Sequence, residues 1–241
     1  MFFQQLQQAF RHRFTEDQQS LVEKLSDFLF HQPETKVFII DGYAGTGKTG
    51  LMSALVKVLP FYSIKTILLA PTGRAAKVLS RNSQKTASTI HKHIYYSSID
   101  ANGNISLKLK NNKNTSTLYI VDEASMIGAR EQGFEAHNLL DDLLQHCLSG
   151  YGNKIIFMGD TAQLPPIGST TSPALNQEYI ETEFILNAQY QRLTQVVRQA
   201  LQSGILRNAS NIRWAIANAR IRLPILKTKD LNDVRIVESY D

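Results

Sequence analysis

Val37-Phe38-Ile39-Ile40-Asp41-Gly42-Tyr43-Ala44-Gly45-Thr46-Gly47-Lys48-Thr49 is the stretch that decides how this chain folds. Its first four residues form an apolar run long enough for a buried strand and too short for a helix. The eight residues from Gly42 to Thr49 satisfy G-x-x-x-x-G-K-[ST] without a mismatch. Leu51, Met52, Leu55, Val58 and Leu59 then recur at helical spacing until Pro60 stops the pattern. Strand, glycine-rich loop and helix in this order form a phosphate cradle. The glycines let successive backbone N–H groups turn inward, and the new helix adds its positive end. Lys48 is placed to reach β- and γ-phosphates, and the Thr49 hydroxyl to ligate Mg²⁺.

The other half of such a site follows downstream. Leu118-Tyr119-Ile120-Val121 is a strand-length apolar run that ends in Asp122-Glu123-Ala124-Ser125. After a P-loop, these carboxylates suit Asp122 to the Mg²⁺ shell and Glu123 to accepting a proton from the attacking water. Lys154 to Met158 is a further strand that runs into Gly159-Asp160-Thr161-Ala162-Gln163-Leu164-Pro165-Pro166-Ile167-Gly168. The Gly and the Pro pair force a defined loop at the C-terminal end of a strand, where open α/β sheets place ligand groups. Gln163 is thereby a candidate sensor of the γ-phosphate.

Upstream, residues 1–14 predict a short amphipathic surface helix. Thr15-Glu16-Asp17-Gln18 reads as a helix start with Thr15 as cap and Gln18 as capping-box partner. Spacing leaves open whether Gln18 also contacts a nucleotide base. Thr66 to Ala70 is another strand, ending in Pro71-Thr72-Gly73-Arg74. With Lys77 close behind, that turn can hold a second phosphate group, or it is a plain βα turn with a solvated basic face. His91 and His93 are two apart, but no Cys or carboxylate cluster joins them, which argues against zinc.

Residues 94–117 break the βα rhythm. Tyr95, Tyr96, Ile99, Asn102-Gly103, Ile105, Leu107 and Leu109 predict a β-hairpin with an Asn-Gly turn. Its second arm carries Lys108, Lys110 and Lys113 among asparagines, which suits a nucleic-acid element or a solvated decoration. Further on, the sequence predicts a helix over 136–148, a loop and short helix over 169–188, and a strand over 190–193. A helix capped by Thr194 and carrying Val196, Val197, Arg198 and Leu201 comes next. A helix over 205–219 with Trp214 and a strand-like Val234–Val237 complete the pass.

The chain has 241 residues, enough for one large domain, alone or with a small insertion. Its 43% hydrophobic and 20% charged content are those of a soluble globular protein. The net charge of +5 suits a polyanionic partner without requiring one. One cysteine, Cys147, excludes an internal disulfide and makes a reducing, cytoplasmic compartment the expectation. No apolar run approaches the roughly 18 residues of a membrane span.

Five of these stretches, in order, resemble the Q motif and motifs I, Ia, II and III of superfamily 1 helicases. They are Thr15–Gln18, Gly42–Thr49, Ala70–Ala76, Asp122–Ser125 and Gly159–Gly168, while Thr194–Gln199 resembles motif IV. The wording Asp-Glu-Ala-Ser and Gly-Asp-x-x-Gln-Leu-Pro-Pro is most similar to the RecD-like branch, superfamily 1B. The resemblance implies an α/β P-loop NTPase fold of the RecA-like kind, with a parallel sheet, helices on both faces and a small β-hairpin insertion. Residues 1–93 and 118–241 would form the motor domain and 94–117 the insertion, or pin.

It implies ATP and Mg²⁺ as cofactors, held by Gln18 at adenine, Gly42, Tyr43, Ala44, Gly45, Thr46, Gly47, Lys48 and Thr49 around the phosphates, and Thr49 with Asp122 at the metal. Glu123 would be the base, Gln163 the coupling residue and Arg198 an arginine finger. Pro71, Thr72, Gly73, Arg74 and His91 would meet nucleic acid. The implied partners are single-stranded DNA and its junctions with duplex, a second RecA-like domain, and exonuclease or repair complex subunits. Nothing after about residue 200 resembles that second domain, so weak nucleotide binding and slow hydrolysis are expected of these residues, and unwinding of a longer protein. A P-loop ATPase or kinase that does not act on nucleic acid is the alternative. Intact Lys48, Asp122, Glu123 and Arg198 argue against a non-catalytic DNA-binding module.

Overall fold

The computed structural model describes residues 1–99, 105–128, 138–166, 169–197, 203–218, 226–228 and 233–234. Eight strands and eight α-helices are described: α1 (Phe2–Phe10), α2 (Glu16–Phe30), β1 (Thr35–Gly42), α3 (Lys48–Val58), β2 (Lys65–Ala70), α4 (Gly73–Ser83), β3 (Ala87–Thr89), α5 (Ile90–Ile94), β4 (Tyr95–Ile99), β5 (Ile105–Leu109), β6 (Thr117–Val121), α6 (Leu139–Leu148), β7 (Lys154–Gly159), α7 (Gln177–Phe184), β8 (Asn187–Leu193) and α8 (Gly204–Ala217). Six strands build one sheet in the order β3-β2-β6-β7-β1-β8, with every neighbouring pair parallel. Ile39 pairs with Phe157, and Leu68 with Ile120.

Strand periodicity explains why these segments are apolar throughout. In β1, Phe38 and Ile40 face one core with Leu6, Leu21, Leu25, Leu51, Leu55 and Leu79, from α1 to α4. Val37 and Ile39 face the other, with Ile90, Leu140, Leu143, Cys147 and Ile180, from α5 to α7. A parallel sheet covered on both faces needs apolar side chains at successive positions. The fold is therefore the expected α/β P-loop NTPase arrangement, and Cys147 is a fully buried apolar filler.

One consequence positions the site. With all six strands parallel, the Pro71 turn, Asp122, Asp160, the P-loop and Thr194 all emerge along the same edge of the sheet, the C-terminal one.

Several expectations shift. β1 reaches from Thr35 to Gly42, because both its neighbours stay paired with it through Asp41. The strand expected over 190–193 begins at Asn187, and α8 begins at Gly204 behind a Ser203 cap. Thr194 caps no helix among the described residues: 194–197 is irregular, because its donors are turned onto the Asp17 carboxylate. β4 and β5 form the antiparallel hairpin as a separate two-stranded sheet, Tyr95 opposite Leu109. The second arm, β5, ends at Leu109, so the asparagines expected on it fall beyond it. Asn112 and Asn114 lie between β5 and β6, where the Asn112 amide donates to the His146 carbonyl at 2.9 Å and ties the segment to α6. The Asn102-Gly103 turn, residues 136–137, Ile167, Gly168, Arg198, Leu201, Ala219 and 235–237 lie outside the described residues. Among the described residues, no helix is long and apolar enough to cross a membrane.

Candidate nucleotide site

The P-loop is built from below. Thr15 Oγ1 accepts from Gln18 N at 3.3 Å and Gln18 Oε1 from Thr15 N at 3.1 Å, which completes the predicted capping box. Gln18 is fully buried, and its Nε2 donates to the Thr46 carbonyl at 2.9 Å. The side chain that caps α2 thus also props the loop. Gly47 must be glycine here. Its φ is +85°, and a Cβ would come within 2.5 Å of Gln18 Nε2.

From Gly47 the chain enters α3, whose start no side chain caps. The N–H groups of its first turn have no intrahelical acceptor and point into the loop, the arrangement that binds phosphate. The Lys48 ammonium donates to the Gly42 carbonyl and, at 3.1 Å, to that of Tyr43. Burial lowers the Lys48 pKa, while Asp160, Asp122, Asp41 and Glu123 pull it back up.

One cavity of about 350 Å³ is lined by Tyr43, Ala44, Gly45, Gly47, Lys48, Thr49 and Gly50 from the P-loop, and by Asp122, Glu123, Gly159, Asp160, Gln163 and Val197. The carboxylates expected to act with Lys48 and Thr49 therefore meet them across β7, the strand that separates β1 from β6. Burial, reinforced by the charge of Glu123, raises the Asp122 pKa to about 6 against the Glu123 N–H and Lys48. Glu123 has φ +54°, a left-handed conformation that costs a non-glycine residue and recurs at functional positions. Gln163 Oε1 accepts from Ser125 Oγ at 3.1 Å, which joins the loop after β7 to the turn after β6. A hydroxyl and a carboxylate are hard oxygen donors of the kind Mg²⁺ takes, so Thr49 and Asp122 fit it.

A larger cavity of about 660 Å³ opens on the far side of Asp160 and Gln163, under α7. Among the described residues it is lined by Glu178 and Glu181 and by no basic side chain, a lining that repels a polyphosphate. Lys48 and the uncapped start of α3 line the smaller cavity alone of the two.

Sequence reading missed the residues that hold these parts together. Asp41 is fully buried and accepts from Thr161 N, Thr161 Oγ1 and Tyr190 Oη, each at 2.9 Å, and lies 3.3 Å from Arg192 Nε. Asp17 accepts from Thr194 N, Thr194 Oγ1 and Gln195 N at 2.7–3.0 Å. Burial alone would raise the Asp17 pKa, but these donors outweigh it and hold it low. Val197 N donates to the Gly45 carbonyl at 3.0 Å, so the segment before Arg198 is fastened to the P-loop. The carboxylate before a P-loop glycine was the available signal for Asp41.

The other expected residues lie elsewhere on the same sheet edge. Thr72 caps α4, accepting from Ala75 N at 3.2 Å, and Gly73 and Arg74 are exposed. Pro71, Thr72, Arg74 and His91 do not line the nucleotide cavity, nor does Gln18, which lies beneath it. Gly73, Lys77, Arg81 and Lys92 line a separate groove between α4 and α5.

A family model described as an AAA domain matches residues 13–223. The ATP-dependent RecD2 DNA helicase of Deinococcus radiodurans is 28% identical over 204 residues, which cover 84% of this chain and 24% of that protein. The ATP-dependent DNA helicase dda of Enterobacteria phage T4 is 34% identical over 167 residues, 66% of this chain and 34% of that protein. The chain thus spans 24% and 34% of the length of these two curated relatives. In fold it is similar to the Pif1 helicase from Candida albicans, with a TM-score of 0.51 at 17% identity over 84% of this chain and 44% of that one. The chain belongs to the AAA domain family, and its likenesses to the RecD2 and Pif1 helicases support a RecA-like domain of the superfamily 1 helicase kind.

Proposed function

We propose that this chain binds and hydrolyses ATP as a motor domain of a RecD-like DNA helicase, and that it works with a second RecA-like domain to translocate on single-stranded DNA and open duplex. The observation that carries the reading is the single cavity lined by Lys48, Thr49, Asp122 and Glu123. There the Lys48 ammonium leaves the Gly42 and Tyr43 carbonyls for the β- and γ-phosphates, and the first-turn N–H groups of α3 take phosphate oxygens. Thr49 and Asp122 hold Mg²⁺, which when bound neutralises charge on the phosphates. Glu123 orients the attacking water and accepts its proton. Gln163 reports loss of the γ-phosphate through Ser125, and Arg198 acts as the arginine finger. Gln18 supports the adenine end from beneath.

The nucleic-acid track runs over Pro71, Thr72, Gly73, Arg74 and His91, beside the groove that carries Lys77, Arg81 and Lys92. Binding there rests on phosphate charge and weakens steeply with salt. The hairpin over 94–117 acts as the small insertion at the single/double-strand junction. Subunits of an exonuclease or repair complex are the proposed partners of the longer protein.

The test is ATP turnover with and without single-stranded DNA, for this chain and for Glu123→Gln. Stimulation by the strand, and loss of turnover with retained ATP binding in Glu123→Gln, are expected. Turnover indifferent to DNA supports the P-loop ATPase or kinase reading instead.

A further inference from the structure

None of the described α8 residues joins either of the two apolar cores. Ile205, Trp214 and Ile216 are exposed. What ties this helix to the nucleotide loops is a charge. Arg213 Nη2 lies 3.2 Å from Asp160 Oδ2, and its guanidinium sits 4.5 Å from the centre of the Tyr43 ring. Asp160 is nearly fully buried, lines the nucleotide cavity, and fixes its own turn by accepting from Ala162 N at 2.9 Å. Tyr43 is the second residue of the P-loop, and its hydroxyl accepts from Arg192 on β8 at 2.8 Å. Arg213 therefore bridges the P-loop and the loop after β7 from a helix whose described residues join neither core.

We infer that Arg213 is a positioning residue that reads the γ-phosphate and passes its presence to α8. The inference rests on the ATP reading of the site. Among the described residues the guanidinium has one carboxylate partner, Asp160, which lines the phosphate cavity, and a γ-phosphate in that cavity is a competing anion with more charge and more acceptor oxygens. A diphosphate leaves the Asp160 pairing intact. A triphosphate draws Arg213 inward, and α8, which carries Arg213, moves with it. Trp214, the only tryptophan of the chain, is the next residue on α8 and reports the movement.

The experiment titrates Mg²⁺ with ADP or ATPγS into the chain, following binding by calorimetry and Trp214 emission in parallel. Wild type should bind both, with an emission change for ATPγS well beyond that for ADP. Arg213→Ala should lose that difference and roughly tenfold in ATPγS affinity, the scale of a charge-assisted hydrogen bond, while ADP affinity stays within about twofold. Arg213→Lys should restore part of both. Equal losses for the two nucleotides, or a full ATPγS emission change in Arg213→Ala, would overturn the inference and leave the nucleotide site standing. Absence of binding to wild type would overturn the nucleotide site itself, and the inference with it.

Discussion

The buried Gln18 amide donates to the Thr46 carbonyl at 2.9 Å, so the start of α2 and the floor of the P-loop are one hydrogen-bonded unit. Removing the amide leaves a buried carbonyl without its donor. Gln18→Ala should cost about 1–3 kcal/mol in urea unfolding and weaken nucleotide binding together. Gln18→Glu should be worse, because a carboxylate faces that carbonyl with nothing to donate.

Gly47 sits on the same contact from the other side. Gly47→Ala combines a left-handed backbone with a Cβ 2.5 Å from Gln18 Nε2. The backbone term alone is about 1–2 kcal/mol, and the displaced amide adds to it. Unfolding midpoints of this variant and of Gln18→Ala should be strongly non-additive, as measured in a double-mutant cycle.

Asp122 gives the site a pH dependence of known sign. With its pKa raised to about 6, the folded chain keeps a proton that the unfolded chain has already released. Its contribution to stability is therefore full at acid pH and is lost as pH rises through about 6. Metal binding runs the other way, since Mg²⁺ takes the ionised carboxylate. Mg²⁺-dependent ATP affinity should rise from about pH 5 to about pH 7, and Asp122→Asn should flatten that rise and keep the fold.

Lys154 serves the scaffold alone. Its ammonium donates to the carbonyls of Phe28, Gln32 and Thr35 at 2.6–2.8 Å, which ties the C-terminal end of α2 to the entry of β1. Lys154→Met should lower stability by about 1–3 kcal/mol and leave ATP affinity unchanged, a contrast with Gln18→Ala.

What the sequence disclosed was local chemistry. The P-loop, the Thr15/Gln18 box and the Asp122-Glu123 strand end are each written within a dozen residues, where periodicity, turn glycines and caps leave few options. The hidden parts depend on partners far apart in the chain. Thr194 looked like a cap because a threonine before a polar run usually is one, yet its donors go to Asp17, 177 residues away. Asp41 and Lys154 stand at strand ends, and only the sheet order brings their partners to them. Arg213 gave no signal at all, since nothing near it in sequence mentions Asp160 or Tyr43.

The central claim is that a triphosphate is gripped between the Lys48 loop and the Asp122/Glu123 strand end. Calorimetric titration of Mg²⁺·ATPγS into wild type and Lys48→Ala tests it most directly. One site per chain, with an affinity that falls by at least roughly tenfold in a folded Lys48→Ala, is the predicted result. Undiminished binding in Lys48→Ala would contradict it.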